Sequence, residues 1–569
     1  MTDGSVAPTG SRTRAGSSGD GEAPAAPTKE PPNPRSRARR TTYRVIVLDP
    51  LSASGLAPLV DDDRFELVER FGLKGQELAD ALGAADGVIV RSATRITRKA
   101  LENVKRLRVI GRAGVGVDNI DVDAATERGI AVLNAPSGNT ISAAELVFAM
   151  LLAFVRRVPE ADRSMKAGEW NRKLGGTELY GKTLGLVGAG RIGSAVAQRA
   201  RAFGMRVLAY DPFLSAERAR SLEIELAPLD DVLRGADIVT LHAPLTDATR
   251  GLLSATKLAL MKPGAVLINA ARGGLVDEDA LYACLTNGQL AGAALDVYAS
   301  EPLPAEHRLR TLPNVVLTPH LGASTLEAQE NVALEIAEAV RVALVDGDLS
   351  RAVNAPALGG ETMRRLRPLL DLAERLGRLS CTMAAGAIER IDVRYAGAAD
   401  DGLRPLTAAV LVGVFDRIVG RGDVNLVNAV LIAQSRGMAV NSTRLARHPD
   451  YGEYVEVEVM AAEGKICVAG ALLGTAHSRI VRVGDFRVDI RPRGALLVLR
   501  NNDVPGVIGR VGTLLGTAGV NIAEYHQARL IEGGEALAAI SVDGWLDEGT
   551  LDAVRALPDV REARQVRLD

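Results

Sequence analysis

TLGLVGAGRIGSAVAQRARAFGMRVLAYDP, Thr183 to Pro212, is the stretch that decides how this chain is read. An apolar run, Leu184 to Val187, has the make-up of a buried parallel strand. It meets Gly188, Gly190 and Gly193 in the order G-x-G-x-x-G, and an alanine-rich helical segment follows. The first glycine allows a tight turn, the second lets backbone approach a pyrophosphate, and the third lets helix pack on strand. The helix N-terminus then offers free N–H groups and the positive end of its dipole to phosphates. A second strand, Met205 to Tyr210, ends at Asp211, whose carboxylate can accept from a ribose 2′-OH and would repel a 2′-phosphate. Glycine-rich turns serve many loops, but strand, turn, helix, strand and acid in this register point to NAD.

The 569 residues exceed what one core supports and imply about three or four domains. Lys and Arg total 68 against 70 Asp and Glu, a net charge of −2, so no electrostatic pull toward nucleic acid or a membrane surface is expected. Partners are then small molecules or further subunits. Cys284, Cys381 and Cys467 lie far apart, with no metal-ligand spacing and no even disulfide set, which suits a reducing cytoplasm. The apolar run Leu146 to Val155 is too short to span a bilayer. Residues 1–42 are rich in Gly, Ser, Pro and Thr and poor in large apolar side chains, so a disordered extension is expected. Its arginines would suit organellar import, but Asp3, Asp20, Glu22 and Glu30 count against that.

From Tyr43 the texture changes to alternating strands and helices. Arg44–Leu48, Phe65–Val68, Val88–Val90 and Arg108–Ile110 read as strands of a parallel sheet, whose carboxyl ends are where ligands bind. Arg91-Ser92 and the loop Gly111 to Asn119 follow such ends, and a third loop, Asn134 to Thr140, leads into a long helix from Ala143. Beyond Asp211, runs ending at His242-Ala243-Pro244, Ala270-Ala271-Arg272, Asp296-Val297 and Thr318-Pro319-His320 repeat the arrangement. Arg272, Glu301 and His320 together suffice for hydride transfer from a 2-hydroxy acid. A guanidinium can clamp the carboxylate, an imidazole can take the hydroxyl proton, and a carboxylate can orient the imidazole. Singly each has a plain alternative: a core histidine, a helix-cap cation, a surface acid before proline; Arg91 could equally be a solvated surface arginine.

The blocks around Gly188, Asn269–Gly274, Ala294–Val297 and Pro319–Thr325 resemble the D-isomer-specific 2-hydroxyacid dehydrogenase family. Val90–Thr94 and Gly111–Asn119 resemble its phosphoglycerate dehydrogenase branch, and the likeness covers about Tyr43 to Asn354. That resemblance implies NAD-dependent oxidation of 3-phospho-D-glycerate to 3-phosphooxypyruvate at the entry to L-serine synthesis. A related activity on another 2-hydroxy acid, such as 2-hydroxyglutarate, and a non-catalytic NADH-sensing scaffold are the alternatives. It also implies a substrate domain (43–138 with 320–355) and a NAD-binding domain (139–319). Arg91, Ser92, Asn139 and Arg272 would contact substrate. Val115, Gly188, Gly190, Arg191, Ile192, Gly193, Asp211, Pro244, Ala270, Arg272, Asp296, His320 and Gly322 would line the cofactor, Asp296 near its carboxamide. Arg91 alone is thin for a phosphate dianion, and Arg172 and Lys173, beside Trp170 on a dimer arm, are the expected supplement from a neighbouring subunit.

The last third carries no catalytic cluster in its sequence. Helices at 364–383 and 406–419 and strands at 390–395, 454–460 and 466–472 resemble the intervening domain of the long-form enzymes, expected over 356–490; His477, Arg479 and Arg482 form a small basic group there. From 493 to 569 the order βαββαβ, with Asp503-Val504-Pro505-Gly506 and Gly519-Val520-Asn521, resembles a ferredoxin-like ACT domain. The resemblance implies L-serine as effector, held by Asn501, Asp503 and Asn521, although an asparagine at 501 departs from the usual aromatic or histidine. A homotetramer is expected from the family. The fold class is thus α/β: two Rossmann-like doubly wound parallel-sheet domains, then an α+β domain and the ACT module.

Overall fold

Tyr43–Val47, Phe65–Glu69, Gly87–Val90, Val109–Arg112 and Ala131–Asn134 align as five parallel strands, with Tyr43–Val47 lying between the second and third. The computed structural model describes residues 42–356, 360–416, 418, 423–474 and 476–569; the expected extension, apart from Thr42, lies outside them. Gly87–Val90 is buried throughout, which explains its unbroken apolar run: helices cover both faces of a parallel sheet. One cover is the helix Leu326–Asp346, whose Val332, Ile336 and Val340 share a core with Val45, Val47 and Ile89. The strand Ala131–Asn134 escaped the sequence reading because four residues offer too little period to distinguish it from a loop.

A seven-stranded parallel sheet follows, ordered Val315–Leu317, Leu290–Leu295, Ala265–Asn269, Ile238–Leu241, Thr183–Val187, Arg206–Tyr210, Glu225–Leu226. The chain winds outward from Thr183–Val187 in one direction, then returns to pair Ile238–Leu241 on its other side and winds the opposite way. Loops leaving those two strands therefore diverge and open a crevice at their carboxyl ends. The edge pair Glu225–Leu226 is exposed and carries no apolar signal. The helix Thr140–Val155 belongs to this second sheet, packing Ala144, Val147 and Phe148 against Leu184 and Leu186. Between the sheets the chain passes through Ser137 and Gly138, whose N–H groups both donate to Glu335 Oε2 at 3.0 Å.

Downstream, helices Gly360–Met383 and Leu403–Phe415 pack on a six-stranded mixed sheet. The second helix starts three residues before the expected Leu406 and ends at Phe415, short of the expected Val419. Strands Ala439–Arg444, His477–Val483 and Phe486–Ile490 were not assigned from sequence, because polar residues interrupt their alternation. Asn425 Nδ2 donates to the Gly129 carbonyl at 2.8 Å and Val427 enters the first sheet's core, so this unit is docked on the first sheet. The final four strands take the order Ile522–Arg529, Glu535–Val542, Ala495–Asn502, Val560–Arg567, a ferredoxin-like arrangement. One face of that sheet, through Leu496, Val498 and Val566, joins the apolar cluster of the 360–383 helix. Among the described residues no helix is long and apolar enough to cross a membrane.

Candidate active site

The strand ends of both sheets meet the same cleft. On the first sheet, Asp49 is buried and accepts the Arg91 N–H (2.6 Å) and the Thr94 hydroxyl (2.6 Å), while Asn119 Nδ2 donates to the Arg91 carbonyl (2.8 Å). The Arg91-Ser92 turn is thus held by its backbone, which leaves both side chains for other work. Asn134 Nδ2 donates to the Val115 carbonyl at 2.7 Å. Asn139, at the start of the Thr140–Val155 helix, has a buried Oδ1 with no hydrogen-bond partner among the described residues.

One functional candidate was missed from sequence. Arg112, the last residue of its strand, is half-buried; its Nη1 donates to the Ala113 carbonyl (3.2 Å), while its buried Nε lacks a partner among the described residues. Burial pushes its pKa down to about 10; Arg272 and Arg91 repel it further, against the pull of Asp118 and Asp49. A cation withdrawn from water with no carboxylate bonded to it among the described residues is costly. The signal was present in the loop Gly111 to Asn119, but an arginine written beside glycines reads as a solvated residue until the fold buries it.

On the second sheet, a Cβ added at Gly193 would fall 2.1 Å from the Gly188 carbonyl oxygen, so this glycine is where helix 191–202 rests on its strand. A Cβ at Gly190 would meet nothing within 4 Å. The space beside it, in front of the first helical turn at Arg191 and Ile192, suits a phosphate group. Asp211 accepts from the N–H groups of Ala189 (2.8 Å) and Phe213 (2.9 Å), which fixes the carboxylate at the strand end. Pro244 is exposed, and its carbonyl accepts from Thr249 (2.6 Å); Ala270 packs against the sheet core. These residues fit an NAD-type dinucleotide.

His320 Nδ1 lies 2.7 Å from Glu301 Oε2, and Glu301 Oε1 accepts the Tyr298 N–H at 3.0 Å. A carboxylate can only accept, so Nδ1 carries the proton and Nε2 remains available as a base. Burial pushes the Glu301 carboxyl up, but the bonds from His320 and Tyr298 and the charge of Arg272 outweigh it and hold the group below its ordinary value. The charge of Arg272 is thus felt at the carboxylate that His320 bonds. Asn269 shapes the approach, donating to the Arg272 carbonyl (2.8 Å) and accepting from the Ala271 N–H (3.1 Å).

Asp296, expected beside the carboxamide, is 0 % exposed, and its oxygens accept from the Thr318 hydroxyl (2.6 Å) and the N–H groups of Leu321 (2.7 Å) and Gly322 (3.0 Å). Burial raises its pKa despite those donors. It thus holds the Thr318 side chain before, and the backbone just after, the strained His320, which sits at φ 58°.

Of the remaining candidates, Trp170, Arg172 and Lys173 are exposed. Arg479 and Arg482 do not form a free basic group: Asp489 lies 3.0 Å from Arg479 and Glu456 3.5 Å from Arg482. In the last unit Asn501 is 0 % exposed with an Oδ1 that lacks a partner among the described residues, Asp503 lies 3.2 Å from Arg529, and Asn521 donates to Asp543 at 2.8 Å.

The family model for the NAD-binding domain of D-isomer-specific 2-hydroxyacid dehydrogenases matches residues 148–322, and that for the D-3-phosphoglycerate dehydrogenase intervening domain matches 365–484. The D-3-phosphoglycerate dehydrogenase of Synechocystis sp. is 43% identical over 531 residues, 93% of this chain and 95% of that protein. This chain belongs to the D-3-phosphoglycerate dehydrogenase family. A second family member, from Bacillus subtilis, is 40% identical over 92% of this chain and its whole length, and D-3-phosphoglycerate dehydrogenase 2, chloroplastic, of Arabidopsis thaliana is 41% identical over 91% of this chain and 86% of its own. Membership gives the cleft a small-molecule substrate, and the family's nucleotide domain falls on the sheet that carries Gly188 to Gly193.

Proposed function

We propose that this enzyme oxidises 3-phospho-D-glycerate to 3-phosphooxypyruvate with NAD, the first step of phosphorylated L-serine synthesis. The observation that carries this is the His320–Glu301 pair, joined electrostatically to Arg272 in a cleft that also holds Arg91 and Arg112. Arg272 takes the substrate carboxylate, and its charge polarises the adjacent carbon–oxygen bond. His320 Nε2 removes the hydroxyl proton, while Glu301 keeps the tautomer and stabilises the imidazolium. Arg91, Ser92 and Asn139 address the phosphate, with Arg112 as the second cation that a dianion requires. Gly188, Gly190, Gly193, Arg191, Ile192 and Asp211 hold the dinucleotide, with Val115, Pro244, Ala270 and Gly322 along its path. The bound cofactor supplies the acceptor for the hydride that leaves the hydroxyl-bearing carbon.

Residues 43–138 with 320–355 form the substrate domain of this reading, 139–319 the NAD domain, 356–490 the intervening domain and 493–569 the ACT domain. The last is the proposed seat of L-serine inhibition in a cytoplasmic homotetramer; the ferredoxin-like strand order supports it, and Asp503 and Asn521 must give up their present partners to hold serine. Absorbance of NADH over a panel of 3-phosphoglycerate, glycerate, 2-hydroxyglutarate and lactate tests the activity: preference for an unphosphorylated acid would overturn the substrate assignment. A flat serine titration would remove the effector, and light scattering reads the subunit number.

A further inference from the structure

Two of the three guanidinium nitrogens of Arg272 are engaged by the protein. One terminal nitrogen, Nη1, donates to the Ala271 carbonyl (2.6 Å), and Nε donates to Asp118 Oδ2 (3.1 Å). Nη2 lies so near the backbone that a Cβ on Gly116 would fall 1.8 Å from it. A guanidinium clamps a carboxylate through two parallel N–H bonds along one edge. The two edges available are Nε with Nη2 and Nη1 with Nη2, and each already has one member engaged.

The two partners differ in how readily they let go. The Ala271 carbonyl belongs to the residue next to Arg272, on a loop pinned by Asn269. Asp118 is a side chain on the other lobe, in the loop that follows Val109–Arg112, and it reaches across the cleft. Its side chain is 65% exposed against 28% for Arg272, so on release it rotates into water with little desolvation to undo. Among the described residues its carboxylate makes no other hydrogen bond. It also stands near Arg112 and offsets that buried charge.

We propose that Asp118 is a tethered competitor for Arg272: the substrate carboxylate takes the Nε–Nη2 edge only by displacing it, so Asp118 sets substrate affinity from outside the reacting atoms. This rests on the assignment of Arg272 to the carboxylate. The exchange is like for like, one carboxylate for another on the same nitrogens. It therefore weakens every 2-hydroxy acid by the same factor, with or without a phosphate. Simple removal of a negative charge from the cleft would instead favour the phosphorylated acid, which carries more charge.

The test is Asp118→Asn beside Asp118→Glu, with KM for 3-phosphoglycerate and the competitive Ki of D-glycerate measured against whichever acid of the panel is turned over. A partly exposed ion pair is weak, so both constants should fall together by about two- to fivefold in Asp118→Asn. The kcat should stay within twofold, the melting temperature should not change, and Asp118→Glu should return both constants toward the parent values. Constants that rise or stay put, or a fall confined to the phosphorylated acid, overturn the proposal. If the parent enzyme prefers an unphosphorylated acid, the substrate assignment fails instead, and the glycerate Ki still reads the competition.

Discussion

Gly190 and Gly193 belong to one motif, yet they should fail in different ways when each is changed to alanine. At Gly193 the new methyl group would lie 2.1 Å from the Gly188 carbonyl oxygen and 3.0 Å from its carbon, both parts of the chain's own backbone. Ordinary contact begins near 3.4 Å, so helix 191–202 has to retreat from its strand by more than an ångström. Overpacking of that kind costs about 1–3 kcal/mol, a loss of roughly 2–12 °C in the melting temperature of a lobe this size. The first helical turn moves with the helix, so NADH affinity falls as well. At Gly190 the methyl group meets nothing within 4 Å and φ is −66°, so the fold accepts it. Only a dinucleotide at the helix N-terminus would meet it. Gly190→Ala should melt within about 2 °C of the parent yet bind NADH about ten- to a hundredfold more weakly, as a like steric cost of about 1–3 kcal/mol requires. The measurements are fluorescence titration with NADH and scanning calorimetry on each variant without cofactor. Unchanged affinity in Gly190→Ala would mean that the open space beside this glycine is not where the cofactor lies, and the nucleotide reading of the motif would fall with it.

Three further outcomes are expected. A hydrogen bond to a charged group contributes about 1.5–3 kcal/mol, so Glu301→Gln should lower kcat about ten- to a hundredfold while KM for the acid stays within twofold; a change in KM alone would show that Glu301 does not act through His320. Replacing Arg112 by Met should raise KM for 3-phosphoglycerate about tenfold or more, leave the glycerate Ki unchanged, and keep or raise the melting temperature, because it removes a desolvated charge whose one protein hydrogen bond among the described residues is to the neighbouring Ala113 carbonyl; a raised glycerate Ki would place Arg112 on the carboxylate instead. The hydrogen bond from Arg64 outweighs burial and holds the Asp62 carboxyl at about 2, below its ordinary 3.8. A depressed folded-state pKa contributes stability above the unfolded value and loses it as pH falls toward the folded one, so Asp62→Asn should flatten the fall in urea midpoint between about pH 4 and 2, and an unchanged slope would contradict the pairing.

The NAD motif, the strand-end placement of Arg272, Glu301 and His320, and the terminal βαββαβ order were all legible in the sequence, because each rests on contacts a few residues apart. A G-x-G-x-x-G turn, an apolar strand and the polar residue just past it are local patterns, and Gly188, Asp211 and His320 could be named from them. Asp296 shows the limit of such reading. It was expected beside the carboxamide, but its engagement with Leu321 and Gly322, next to His320 in its left-handed conformation, depends on two strands meeting side by side.

By itself, then, the order of residues determined which side chains stand at the mouths of the strands and which cofactor the first turn suits. Only the tertiary structure decided the electrostatics between them. It drew Arg112 partly out of water with its Nε unpartnered among the described residues and stretched Asp118 across the cleft to Arg272. The physical reason is that charge interactions and desolvation depend on distance in space and on exclusion of water. Arg112 and Asp118 lie only six positions apart, yet what they do is set by Arg272, 154 residues beyond Asp118 on the other lobe.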